Sequence, residues 1–329
     1  MKRLSIAVLL ILLLPVVAWA DLTVSYIDVG QGDAALVQCD GHNMLVDAGP
    51  NASTDALLSY LAGAGATSYD LVVGTHPHED HIGGLDKVIE QYDVTNVWMP
   101  RVRADTKTFE DVLLAIQSKG LKITAPTPGT IFTLGGATVT ALAPIGSSYA
   151  ETNDYSIVLR IDYGGTSFLF TGDAEETSEN EMLAAGAHLK ADVLKVGHHG
   201  SSSSTTDMFL DTTDPDYAVI SCGADNSYGH PHAETLQKLD AKGIRILRTD
   251  KLGTITIQSD GKDVLLNSPE RDNTPDNIDS GITYIGNKNT KKFHKPICGS
   301  LPAPKNQVYF DARDDAINAG YDPCKKCKP

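Results

Sequence analysis

The 329-residue chain reads as a mixed α/β protein: two β-sheets with helices outside them, followed by a small metal-held module at the C-terminus. Three observations point there. Short β-branched, alternating runs recur with helical stretches between them. The polar clusters rich in His and Asp stand just after predicted strands. The last 49 residues differ in charge and cysteine content from all that precedes them.

At the N-terminus, Lys2 and Arg3 precede an apolar run from Leu4 to Val17, and Ala18-Trp19-Ala20 places small residues where a signal peptidase reads. Residues 1–20 are therefore expected to be a secretory signal. The mature protein is expected to be exported, periplasmic or extracellular in a bacterium. No later stretch is long and apolar enough to cross a bilayer.

The body, residues 21–267, opens with strands expected over 22–29, 34–39 and 44–47, joined by the turns Gly30-Gln31-Gly32-Asp33 and Asp40-Gly41-His42-Asn43. A helix over 55–64 leads to a strand at 71–74, and a second helix opens at Leu85. Further strands are expected near 94–99, 121–123, 130–134, 137–142, 156–162, 167–170 and 193–196. Those at 217–221, 244–247, 254–258 and 264–266 complete the set. Helices cover 109–119, 178–185 and 233–241. Residues 268–280 hold two prolines and one aliphatic side chain, the composition of a linker. The module 281–329 follows.

Charge divides the chain in the same way. The net charge is −15, yet residues 281–329 carry nine Lys or Arg against four Asp. With the two positive charges of the signal set aside, residues 21–280 hold −22. Such a body repels a polyanion at long range, while the basic tail attracts one. Bound cations would cancel part of that charge. The five cysteines are odd in number, so at least one thiol is unpaired or holds metal. Cys39 and Cys222 read as small buried hydrophobes.

The chemistry gathers at Thr75-His76-Pro77-His78-Glu79-Asp80-His81, directly after the apolar run Leu71-Val72-Val73. Imidazole is a borderline metal ligand and carboxylate a hard one, so the set suits zinc or manganese. Alternation sends His76 and His78 the same way, and Asp80 and His81 fold back as the turn begins, offering ligands to two metals. A polar loop facing solvent is the plain alternative, but four ligand-type residues within six positions argue against it. Asp47, Asp173 and His198 each follow another predicted strand.

With those residues in view, the chain resembles the metallo-β-lactamase superfamily, whose marker is His-x-His-x-Asp-His. The likeness spans about residues 22–267. It implies a four-layer αββα sandwich. Within the superfamily, the wording is similar to the hydrolase-like domain of the ComEC competence proteins. It is carried by Tyr26 to Asp33, Leu45 to Gly49, Thr171-Gly172-Asp173, His198 to Ser201 and Tyr228 to Pro231.

The resemblance implies that His76 and His78 bind a first divalent metal, Asp80 and His81 a second, with Asp173 bridging and His198 completing the second site. Asp47 is expected to orient a histidine or the bridging water, and His230, helped by Tyr228, to contact substrate or metal. Two such cations acidify a bridging water into a nucleophile. One departure stands out. Where most of the superfamily has another His, this chain has Glu151 to Ser156, so Asp154, with Asn153 second, is expected to replace it. A harder oxygen set favours manganese over zinc.

In the tail, His294-x3-Cys298 and Cys324-x2-Cys327 offer four tetrahedral ligands for one structural zinc, against a disulfide between two of the thiols. A module this small needs such a staple. Through Val308-Tyr309-Phe310, Ala316 to Gly320 and Tyr321 to Cys327 it resembles the metal-binding domain of Ada. His294 stands where Ada has its methyl-accepting Cys, so methyl transfer is not expected. Lys291, Lys292, Lys295, Lys325 and Lys326 could meet DNA phosphates or simply be a solvated surface.

These readings converge on an exported phosphodiesterase or nuclease that acts on DNA through a dinuclear-metal-activated hydroxide. A hydrolase of an ester, lactone, thioester or β-lactam on the same fold is the first rival. A non-catalytic DNA-binding or uptake accessory protein is the second.

Overall fold

The computed structural model describes residues 22–266 and 284–327, apart from 296–297, 299, 304–305 and 311–312. The expected signal and linker lie outside the described residues. No helix among these residues is long and apolar enough to cross a membrane.

The alternating runs form two sheets. One has eight strands in the order Val264–Leu266, Ile255–Ser259, Leu22–Tyr26, Ala34–Cys39, His42–Ala48, Leu71–Val73, Val97–Trp98 and Ile123–Thr124. The other has seven, in the order Arg245–Arg248, Tyr217–Ile220, Val193–Lys195, Thr166–Phe170, Val158–Tyr163, Ala137–Ala143 and Ile131–Leu134. Their facing sides bury Val24, Val37, Val73, Val139, Ile161, Phe168 and Ile257 in one core, where Tyr26 stacks on Phe170 at 5.5 Å. Each such side chain contributes roughly 1.5–3 kcal/mol by leaving water.

Helices cover both outer faces. Thr54–Gly63, Leu85–Gln91 and Lys107–Ser118 pack Leu57, Leu61, Val88, Val112 and Ile116 on the first sheet. Glu176–Ala184, Asp207–Thr213 and Ala233–Ala241 pack Met182, Phe209, Leu210 and Leu236 on the second. The result is a four-layer αββα sandwich. Local chemistry sets the helix ends: in Lys107–Ser118, Thr106 Oγ1 caps the Phe109 N–H, one face buries Phe109, Val112, Ala115 and Ile116, and Gly120 at φ 66° ends the run.

The strands His42–Ala48, Leu71–Val73 and Val97–Trp98 run parallel, as do Thr166–Phe170, Val193–Lys195, Tyr217–Ile220 and Arg245–Arg248. Parallel strands deliver their following loops to one edge, where open α/β sheets bind ligands. Asp47, Thr75 to His81, Met99 to Arg103, Asp173 and His198-His199 all follow such ends.

The helix Asp207–Thr213 falls where the sequence reading placed no element. Ser204 and Thr205 are buried, and Glu179 accepts the Thr205 and Thr206 N–H groups just before the helix.

The C-terminal module has a four-stranded sheet in the order Gln307–Phe310, Tyr284–Asn287, Lys292–His294, Asp322–Pro323, with the helix Arg313–Asn318. Its core comprises Phe293, Ala316 and Tyr321. So few buried apolar groups cannot hold a domain alone.

Candidate metal centre

The turn Gly30 to Asp33 docks against the histidine loop. A Cβ at Gly32 would lie 2.4 Å from the Asp80 carbonyl oxygen, and the Asp33 N–H donates to that oxygen at 3.0 Å. Only glycine permits this approach at φ 149°. Asp47, His198 and His199 hold left-handed backbone (φ 59°, 49° and 53°), each at a cost of roughly 1–2 kcal/mol. Such strain gathers where side chains must be aimed.

Four imidazoles and two carboxylates meet there. His76 Nε2 faces His78 Nδ1 at 3.0 Å and Asp173 Oδ2 at 3.8 Å. His81 Nε2 lies 3.2 Å from Asp173 Oδ1, and His199 Nε2 lies 3.2 Å from Asp80 Oδ2 and 3.6 Å from Asp173 Oδ2. Asp173 is thus central to both halves. Behind the rings stand two more carboxylates: Asp47 Oδ2 is 2.8 Å from His81 Nδ1, and Asp33 Oδ1 is 3.1 Å from His199 Nδ1. Asp47 also accepts from the Thr75 N–H and Oγ1, both at 2.7 Å. Asp33 also pairs with buried Lys195 at 2.7 Å.

The electrostatics follow from burial against opposite charge. Burial alone would pull His81 and His199 down, but Asp173 with Asp47 lifts His81 well above 6.5, and Asp173 with Asp33 lifts His199 to about 9. His76 goes the other way, lowered by burial and by His81 despite Asp173. Burial raises Asp47. It pushes Asp33 up too, yet Lys195 and His199 outweigh it and bring that carboxyl to about 2.

The donor set fits metal. His81 Nε2, His199 Nε2 and Asp173 Oδ1 are buried without a hydrogen-bond partner, as is Asn153 Oδ1. An orphaned buried polar atom costs about 1–3 kcal/mol, so several converging on one point call for a cation between them. Among the described residues, Asp33, His81, Asp173 and His199 offer ligand atoms within 4.8 Å of one another. Within that group Asp33 pairs with Lys195 and lies on the Nδ1 side of His199, where the Ser221 carbonyl at 3.0 Å orients the ring. The nest opens on a cavity of about 740 Å³ lined by His78, Asp80, Asn153, Asp173, His230 and Arg103 among others.

Two expectations are corrected. His198 reaches only the edge of the nest, its Nε2 3.8 Å from Asp173 Oδ2, on the cavity wall. The double left-handed turn aims His199 inward, while His198 Nδ1 is held at the rim by Glu175 at 3.0 Å and Ser203 at 3.1 Å. Asp154 does not line the cavity. Its Oδ1 accepts the N–H groups of Glu175 and Ser178 at 3.1 and 3.2 Å, fastening the start of the helix Glu176–Ala184. Its neighbour Asn153 lines the cavity instead. His230 forms part of the wall, stacked under Tyr228 at 5.6 Å and lowered to about 4 by burial and by His198, His199 and His232. Sequence reasoning chose His198 over its neighbour His199, missed Lys195, and left Asp33 evenly between a turn cap and a site residue. The only signal was that Asp33 borders a glycine turn.

In the tail, His294, Cys298, Cys324 and Cys327 also bring their ligand atoms within 4.8 Å. All five cysteines are free thiols. Backbone N–H groups of Lys295 and Lys326 donate to Cys327 and Cys324 sulfur, both at 3.4 Å, the kind of support that thiolate ligands need. Contacts of this kind with the Cys327 and Lys326 backbone lower the Cys324 thiol.

The family model described as the metallo-beta-lactamase superfamily matches residues 27–224. The chain belongs to the metallo-β-lactamase superfamily. The metal-binding domain of Ada matches residues 272–329, so the C-terminal Cys3His cluster is that of a zinc-binding module. Relatives of this superfamily member are competence proteins. ComE operon protein 3 of Bacillus subtilis is 34% identical over 70% of the chain and 32% of its own length. Competence protein ComA of Neisseria gonorrhoeae is 30% identical over 69% and 31%. The chain therefore spans about a third of the length of these curated relatives. A solved structure of a CmlA β-hydroxylase mutant is similar in fold, with a TM-score of 0.51 and 15% identity over 72% of this chain and 54% of its own.

Proposed function

We propose that this metallo-hydrolase is an exported, metal-dependent phosphodiesterase that cleaves DNA. The observation that carries the reading is the nest of unpartnered ligand atoms around Asp173, open to a cavity with a cationic wall residue, Arg103. The kinship with proteins named for competence and recombination supports DNA as substrate.

In this reading His76, His78 and Asn153 would hold one divalent cation and Asp80, His81 and His199 the other, with Asp173 placed to serve both. Bound there, zinc or manganese supplies an acidified water and neutralises charge on the phosphate and leaving oxygens. The chain does the rest. Asp47 accepts from His81 Nδ1 and the Ser221 carbonyl from His199 Nδ1, with the Asp33 carboxylate beside that ring, and so each Nε2 faces the reaction. His230, neutral at neutral pH, presents an imidazole to a phosphate oxygen beneath the Tyr228 ring. Arg103 draws the anion in. The basic zinc module holds DNA near the site and raises its local concentration.

The test is purified full chain with manganese or zinc, offered single-stranded DNA, bis-p-nitrophenyl phosphate and nitrocefin. Cleavage of the first two, abolished by Asp80→Ala, supports the proposal. Turnover of nitrocefin or an ester alone refutes it in favour of the first rival. DNA binding with no turnover refutes it in favour of an accessory role.

A further inference from the structure

A second cavity of about 1330 Å³ adjoins the metal-facing one, and Arg103, Ala104 and Thr106 line both. It runs along the loop after the strand Val97–Trp98, at the same sheet edge as the histidines. Arg101 stands on it, with Phe109, Leu113 and Ile123 as apolar lining. Leu113 and Ile123 are 37% and 40% exposed. The space exceeds the roughly 300–1,000 Å³ of a small-molecule pocket.

Charge singles out this trough. Residues 22–266 contain fifteen lysines and arginines. Twelve of them have a carboxylate, carbonyl, ring or other partner. The remaining three are Arg101, Arg103 and Lys122. Two line the trough, and the third precedes its lining residue Ile123. In a body carrying −22, every cation without a partner among the described residues falls beside one groove.

We infer that this trough is the binding path for the strand flanking the scissile phosphodiester. Arg101, Arg103 and Lys122 would meet successive phosphates, and Leu113 and Ile123 would receive the faces of bases. The inference rests on the phosphodiesterase reading for its choice of occupant. Single-stranded nucleic acid matches the chemistry because it pairs a line of anionic charge with apolar faces, the combination single-strand grooves recognise.

The decisive experiment measures binding, not turnover. Fluorescence anisotropy of labelled oligo-dT on the metal-loaded full chain is compared with Arg101→Ala, Arg101→Ala/Lys122→Ala and Ile123→Ser. Each lost charged contact should raise Kd roughly tenfold or more. It should also flatten the dependence of log K on log salt by about 0.7. Ile123→Ser should raise Kd and leave the salt slope unchanged. Unaltered Kd and slope in the arginine and lysine variants overturn the inference. Turnover of bis-p-nitrophenyl phosphate, read separately, reports on the phosphodiesterase reading, so the two can fail independently.

Discussion

Asp47 Oδ2 lies 2.8 Å from His81 Nδ1, and this contact leaves His81 Nε2 facing Asp173 without a hydrogen-bond partner. The Ser221 carbonyl, 3.0 Å from His199 Nδ1, does the same for His199, with Asp33 Oδ1 3.1 Å away as its counter-charge. A carboxylate and a backbone carbonyl thereby fix two rings that arrive on different sheets.

Asp47→Asn should keep the shape of this contact and remove its charge. Metal affinity should fall about 10–100-fold, the usual cost of losing a carboxylate behind a ligating histidine. Isothermal titration of the metal-stripped chain reads it. Unchanged affinity would deny Asp47 its orienting role.

Lys195→Met should leave the Asp33 carboxylate buried beside His199 without its lysine. Removing one partner of a buried pair costs about 3–5 kcal/mol, measurable by urea denaturation. The pair also sets an acid limb. Asp33 sits at about 2 when folded against 3.8 ordinarily, so its contribution is present above 3.8 and lost as pH falls towards 2. That contribution amounts to about 2 kcal/mol. Asp33→Asn should flatten stability across that window.

Asp154→Ala should cost about 1 kcal/mol by uncapping the helix Glu176–Ala184, with metal content intact. Asn153→Ala should instead weaken binding of one cation and spare stability. Metal analysis of both variants separates them. Loss of metal in Asp154→Ala with full retention in Asn153→Ala would reverse the correction made above.

Much of this was legible before any coordinates. His76 to His81 announced a metal site because four ligand-type residues share six positions. Two sheets with helices outside followed from regular alternation, the resemblance to the superfamily implied the αββα layering, and the helix Ala233–Ala241 falls where its pattern placed it. What could not be read was direction. His198 and His199 are chemically identical neighbours, and only their paired left-handed φ values decide which ring turns inward. Asn153 and Asp154 differ in the same way, one facing the cavity and the other facing backbone N–H groups. Asp33 needed Lys195, which is far off in sequence and close only through the fold.

Zinc removal from the C-terminal module should unfold it, because Phe293, Ala316 and Tyr321 are too small a core to stand alone. Cys327→Ala in the full chain should lose one equivalent of zinc and broaden the amide NMR signals of residues 284–327. Retained zinc and sharp signals would point to a fold held by packing.

The most direct test adds manganese or zinc stepwise to the metal-stripped full chain while bis-p-nitrophenyl phosphate hydrolysis is followed. Activity should rise as two equivalents fill the nest, beyond the one taken by the zinc module, and Asp173→Ala should show none. Filling of the nest without phosphodiester turnover, or turnover that survives Asp173→Ala, would contradict a dinuclear phosphodiesterase centre.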